Sequence, residues 1–261
     1  MNYLRLFWVF VRLGVLNELA YRANFYIQCL QSLMSLGIGL AGIAVVFAHT
    51  PALGGWQPAE LVALLGVYQL MGGLIGALIQ PSMERFMEDV RRGTLDFTLT
   101  KPADAQVLVS MGEVRVWKLV DVGLGLTVLA AALLQLGMAL GASQALGFGL
   151  TLLAGAAIVY SFWLILATLS FWFVRVENIL IIFQGVYEAG RWPVGMYPRW
   201  LQVGLTALVP VAFAVTVPAE AVVGRLSREM LGLAFGLALG LLGGSRWFWR
   251  CGVKRYSGAS A

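Results

Sequence analysis

The stretch VGLGLTVLAAALLQLGMALGASQALGFGLTLLAGAAIVYSFWLILATLSFWFV, residues 122–174, contains no Asp, Glu, Lys or Arg. A helix needs about 20 predominantly apolar residues to cross the hydrocarbon core of a bilayer. This run is long enough for two crossings, and Gly141-Ala142-Ser143 supplies a turn between them. Charge-free runs recur between Arg22 and Glu60, Glu60 and Glu84, and Glu229 and Arg246. The composition agrees: 60% of the 261 residues are hydrophobic and 12% are charged, about half the charge of a soluble domain. The fold class is therefore all-α, a polytopic membrane protein in direct contact with the lipid bilayer.

The rest of the chain falls into place around these runs. Residues 1–23 mix Leu6, Phe7, Trp8, Val9 and Phe10 with Arg5, Arg12, Glu18 and Arg22, which predicts an interfacial helix. The charges interrupting that segment do not fit a cleaved signal peptide. Spans are predicted at about Phe25–Phe47, Leu61–Ile79, Leu119–Leu140, Leu146–Phe173 and Leu231–Gly244. The third span begins within a helix predicted to start near Asp104, a good N-cap. Between Arg175 and Met230 two apolar stretches compete, Val176–Gly190 and Leu201–Val217.

The basic residues orient the chain. With the N-terminus inside, fourteen of the eighteen Lys and Arg fall on the inner side: Arg5, Arg12, Arg22, Arg85, Arg91, Arg92, Lys101, Arg115, Lys118, Arg175, Arg246, Arg250, Lys254 and Arg255. The basic tail, residues 246–261, lies inside only if the crossings are even in number. Six crossings are expected, with one net crossing between Arg175 and Met230. The whole chain, 1–261, then forms a single transmembrane domain with both termini cytoplasmic, in the plasma membrane.

Catalytic signals are missing. The chain has no phosphate-loop motif and no Gly-Lys pair. Its one histidine, His49, stands in a loop without a Cys/His cluster. Cys29 and Cys251 set no disulfide framework. No carboxylate is expected mid-span, and Asp121 and Lys118 are expected to pair at a span's edge. The predicted site list therefore has no catalytic, cofactor or metal residue, and orientation accounts for the basic residues better than nucleic acid does.

The most polar segment lies between spans two and three, residues 83–103. Met83, Phe86, Met87 and Val90 form one apolar helical stripe. Glu84, Arg85, Glu88, Asp89, Arg91 and Arg92 cover the other side, and Gly93 suits a C-cap. This reads as a short amphipathic helix that either closes a loop or docks on a partner. Thr94–Thr100 alternates polar and apolar residues, which predicts an extended segment. Gly72 and Gly76, and Gly232, Gly236, Gly240 and Gly244, repeat at i+4 steps, a spacing that lets helices approach closely. They mark span packing, within the bundle or against a second copy.

In this order the features resemble the membrane subunits of ABC exporters of the second type. An interfacial helix precedes span one. The charged helix Met83–Arg92 is followed by Gly93-Thr94-Leu95 and by Leu99-Thr100-Lys101-Pro102. Tyr197-Pro198-Arg199-Trp200-Leu201-Gln202, Leu208–Ala214, Glu220 and Arg225 precede the last span. The resemblance implies six spans, a cytoplasmic coupling helix at Met83–Arg92, and re-entrant helices within 197–229. That favours Val176–Gly190 as the fifth crossing. It also implies a second permease copy, identical or related, and a separate ABC ATPase that holds ATP and magnesium. No cofactor is then bound by this chain. Mostly uncharged span walls suit an apolar or amphipathic cargo. A secondary transporter or channel, or a membrane scaffold or embedded enzyme, is the alternative.

Overall fold

A computed structural model describes residues 3–20, 22–137, 141–173 and 177–256. All its named elements are helical. The chain runs through α1 (Tyr3–Ala20), α2 (Arg22–Phe47) and α3 (Pro58–Leu74), which continues through one π turn, Ile75–Ile79, into α4 (Gln80–Arg92). Two short helices follow, α5 (Asp96–Leu99) and α6 (Ala105–Ser110). Then come α7 (Leu119–Gln135), α8 (Ala142–Thr168) and α9 (Glu177–Glu188), the last extended by a 3₁₀ turn, Ala189–Arg191. A bent pair precedes the last helix: α10 (Arg199–Val203) with π turn Gly204–Leu208, and π turn Ala212–Thr216 with α11 (Val217–Val222). The chain closes with α12 (Arg228–Val253).

Five of these helical segments are long and apolar enough to cross a membrane alone, α2, α3–α4, α7, α8 and α12. The bent pair formed by α10 and α11 with their π turns is the further candidate, as a broken span or a re-entrant loop. The end of α8 lies on the face that carries α4, where Phe171 packs on Phe86 and Trp249. Met196 lies on the opposite face, against Gly54 of the α2–α3 loop. The helix α9 lies in the stretch between them. Val176, the first residue of the expected crossing Val176–Gly190, lies outside the described residues. From Met196 the bent pair enters the bundle, folds by 79° at Val209-Pro210, and returns. Arg225, just after α11, bonds to Glu60 Oε2 at 2.7 Å and to the Gly55 carbonyl at 2.9 Å on that same face. The bent pair thus begins and ends near that face.

Three sequence expectations give way to local physics. The first is that span two would stop at Gln80-Pro81, whereas helix continues to Arg92. A proline inside a helix leaves the carbonyl four residues back without its usual donor. Here that carbonyl is Ala77, and it accepts from the Arg115 N–H at 3.0 Å. The adjoining π turn accommodates the ring. The second is a single helix from Asp104 into span three. Asp104 does cap a helix, accepting from the Gln106 and Val107 N–H groups, but α6 ends at Ser110. Residues 111–115 are spent on α3–α4: Arg115 serves Ala77, and Glu113 exchanges hydrogen bonds with Ser82 Oγ. The third is an extended Thr94–Thr100. Instead Gly93 turns left-handed (φ 70°), and the Asp89 carbonyl accepts from the Thr94 and Leu95 N–H groups. That cap drives Leu95 into the core and starts α5.

Candidate functional site

The α4 helix is held in two ways. Its apolar side, Met83, Phe86 and Met87, is buried. Phe86 lies 5.0 Å from the Trp249 ring and 5.5 Å from Phe171, which locks α4 to the ends of α12 and α8. Its polar side is wired to the segment before α7. Glu84 accepts from Arg115 at 2.6 Å and from Gln80 at 2.7 Å, and Arg85 donates to the Gly112 carbonyl at 2.9 Å. Glu88 pairs with Arg91 and Arg92, and Asp89 accepts from Thr94. Val90 is half-buried beneath them. The predicted residues Met83–Arg92 therefore divide. Met83, Phe86 and Met87 serve this chain's core, and the outward edge consists of Arg85, Arg91 and Arg92. Phe97 on α5 stands beyond that edge, 74% exposed; the sequence reading passed over it inside an expected strand.

A second connection joins this region to the last helix. Arg246 of α12 forks onto both carboxylate oxygens of Asp104 and donates to Gln106 Oε1 at 2.7 Å. Gln106 and Ser110 both reach the Tyr160 hydroxyl on α8. The hydrogen bonds from Arg246, followed by those from the backbone N–H groups of Val107 and Gln106, hold the Asp104 carboxyl below the usual carboxylate range against its partial desolvation.

Between α2, α3, α7, α8 and α9 lies a cavity of about 490 Å³. Its aromatic walls include Tyr68, Trp117, Trp163, Phe183 and Tyr187. Tyr187 donates to the Tyr68 carbonyl at 3.0 Å, and their rings stack at 5.0 Å. On its polar side Lys118 and Asp121 pair at 3.0 Å as the i,i+3 spacing predicts. Asp121 also accepts from Gln69 at 2.7 Å, and Gln69 lies midway along the span formed by α3 and its π turn. The pair stands in the first turns of span three, as expected, with the Asp121 carboxylate buried against α3. Span one contributes Gln28, Gln31, Ser32 and Ser35. These fall at i, i+3, i+4 and i+7, one polar stripe inside an otherwise apolar span. It is legible in the sequence and absent from the predicted site residues. Four charged residues, Arg115, Lys118, Asp121 and Glu188, stand among otherwise uncharged walls.

The glycines sort differently from their spacing. Gly72 makes ordinary contact with the Tyr187 ring, and Gly76 sits tightly on the Lys118 stem. Closer approaches are at Gly66, Gly73 and Gly125, where α3 meets α7, and at Gly155 of α8 and Gly252 of α12. Around Gly232, Gly236, Gly240 and Gly244 nothing lies within 4 Å of where a Cβ would stand. Packing within the described bundle does not account for that stripe. The reason is geometric: at 3.6 residues per turn Ala234, Ala238, Ser245 and Trp249 align on the far side of α12, and those are the buried ones. Among the described residues no group of three or more His, Cys, Asp or Glu is arranged to hold a metal ion.

A bundle with five helices able to cross a membrane, six if the bent pair counts as one, with a wired helix at one face and a polar cavity among its spans, is the architecture of a membrane-embedded transport subunit. The sequence model of the ABC-2 family of transporter proteins matches residues 33–260, and the chain belongs to that family. No curated protein and no solved structure matches the chain.

Proposed function

We propose that this chain is the permease subunit of an ATP-driven exporter, forming half of the pathway for an apolar or amphipathic substrate. A separate ABC ATPase would hydrolyse ATP with magnesium and grip the face carrying α4. That face would be cytoplasmic, and a second permease copy, identical or related, would complete the pathway in the plasma membrane. One observation carries the reading: helix is continuous from Pro58 to Arg92. Over that length it rises about 50 Å, more than the roughly 30 Å hydrocarbon core. Its outer turns are α4, and further along it carries Tyr68, Gln69, Gly72 and Gly76 of the cavity wall. A push on α4 would therefore be carried along the continuous helix to that wall.

The test is association with the ATPase. Glu84→Lys would disturb packing, because Glu84 is bonded to Arg115 and Gln80. The informative variant changes the outward residues, Phe97→Asp with Arg92→Glu. Co-purification of the ATPase is expected to fall roughly tenfold or more, as for loss of an interface hot spot. The thermal unfolding temperature of the permease should stay where it was. Unchanged co-purification would remove the docking role from this edge.

A further inference from the structure

The cavity has a chemistry that narrows the cargo, and this inference rests on the permease reading above. Polar groups at membrane depth are costly unless they find partners, so those left without one on a cavity wall mark what the cavity holds. Three amides are in that position. Gln28 and Gln31 on α2, and Gln184 on α9, make no hydrogen bond to any described residue. The side of α2 opposite Gln28, Ser32 and Ser35, with Tyr26, Leu30 and Leu33, is exposed and apolar, as a lipid-facing side should be. Gln28 is thus turned away from lipid, toward the cavity, and Gln31 and Gln184, both exposed, stand at its open rim.

The charges on the wall are already spoken for. Arg115 is held by Glu84 at 2.6 Å and Lys118 by Asp121 at 3.0 Å, so neither is left to receive an anion. Glu188 lies one turn before Arg191, whose guanidinium stands over the Tyr68 ring and donates to Ser35. A cation approaching Glu188 meets that fixed positive charge. What remains on offer is neutral and two-sided. Each glutamine amide both donates and accepts, and the Tyr68, Trp163, Phe183 and Tyr187 rings give flat apolar faces beside them. The volume of about 490 Å³ lies in the range of small-molecule sites.

We infer that this cavity binds the head group of an amphiphile, and that the head is uncharged and rich in hydroxyl or amide groups. Gln28, Gln31 and Gln184 would bond to it while its apolar body stays in the bilayer.

The experiment uses the full chain in lipid nanodiscs and three photoreactive dodecyl probes that differ only in head: maltoside, trimethylammonium and sulfate. Crosslinks to α2 and α9 are quantified by mass spectrometry. The maltoside probe is expected to label the Gln28–Ser35 stretch several-fold more than either charged probe. The Gln28→Leu, Gln31→Leu double variant should lower that labelling roughly tenfold, the scale set by losing two hydrogen bonds. Leucine suits a membrane helix, so the variant should insert and fold, and its elution profile checks this. Equal or stronger labelling by a charged probe overturns the inference. So does maltoside labelling that the double variant leaves unchanged. An ATPase that never co-purifies would sink the exporter reading and leave the labelling result standing.

Discussion

Span two and the last span both carry glycines at helical spacing, and they lead opposite lives. In the most apolar stretch of the α3–α4 rod 72% of the residues are buried, against 17% in α12. On α3 the close glycines, Gly66 and Gly73, are pressed against the α7 backbone and the base of its side chains. On α12 the stripe from Gly232 to Gly244 meets nothing of this chain, and the small residues that pack stand on the other side. Small-residue spacing thus records that a helix surface is smooth. It does not record which neighbour uses that surface, or whether the neighbour belongs to the same molecule.

The sharpest break in this comparison is at Gly125 of α7. A Cβ there would meet Leu70 N at 2.5 Å and Gly66 O at 2.6 Å, both backbone atoms that no rotamer can move. Gly125→Val should cost about 3 kcal/mol or more through overpacking, read as a large fall in unfolding temperature in nanodiscs. A small fall would show that α3 and α7 are less rigidly joined than their contact implies.

The difference between these glycine sets also marks how far the sequence is legible. The apolar runs have no soluble alternative, so five spans were readable. The helix at Met83–Arg92 was readable because its stripe is clean and Gly93 ends it. What escaped reading depends on contacts between distant segments. Pro81 looks like a stop until Arg115 supplies the missing donor to Ala77. The alternation of Thr94–Thr100 looks like a strand until the Gly93 cap buries Leu95. The cavity escaped because its wall is assembled from five helices, none of which carries more than a fragment of it. Its one legible fragment is the stripe Gln28, Gln31, Ser32 and Ser35.

One polar tie joins the last span to the segment before α6, and cutting it sharpens the contrast. Arg246→Ala removes the fork on Asp104 and the bond to Gln106. Both partners are about one-third exposed, so the loss should be modest, about 1 kcal/mol. Its pH dependence is the diagnostic part. The folded Asp104 carboxyl lies below its ordinary value, chiefly through the Arg246 bond. The tie therefore contributes fully above the unfolded carboxyl's value of about 3.9 and is lost as pH falls through the depressed folded value. Wild type and variant should differ at neutral pH and converge in acid. A difference that persists in acid would mean that Arg246 acts through packing.

The smallest expected effect tests the bare side of α12 directly. Gly236→Leu adds a large side chain where nothing stands within 4 Å. In an isolated copy the change should be within about 0.5 kcal/mol, and glycine's poor helix propensity argues that it would be stabilising. If the stripe lies against a second copy, the same leucine holds the two backbones apart, and crosslinking between copies should fall while the monomer keeps its unfolding temperature. Separating the readouts matters, because a glycine packed inside the bundle would lose stability first, as Gly125 should. A loss of monomer stability at Gly236 comparable to that at Gly125 would erase the distinction between the two spans. Unaltered crosslinking with unaltered stability would instead leave the stripe facing lipid, with its smoothness used by neither copy.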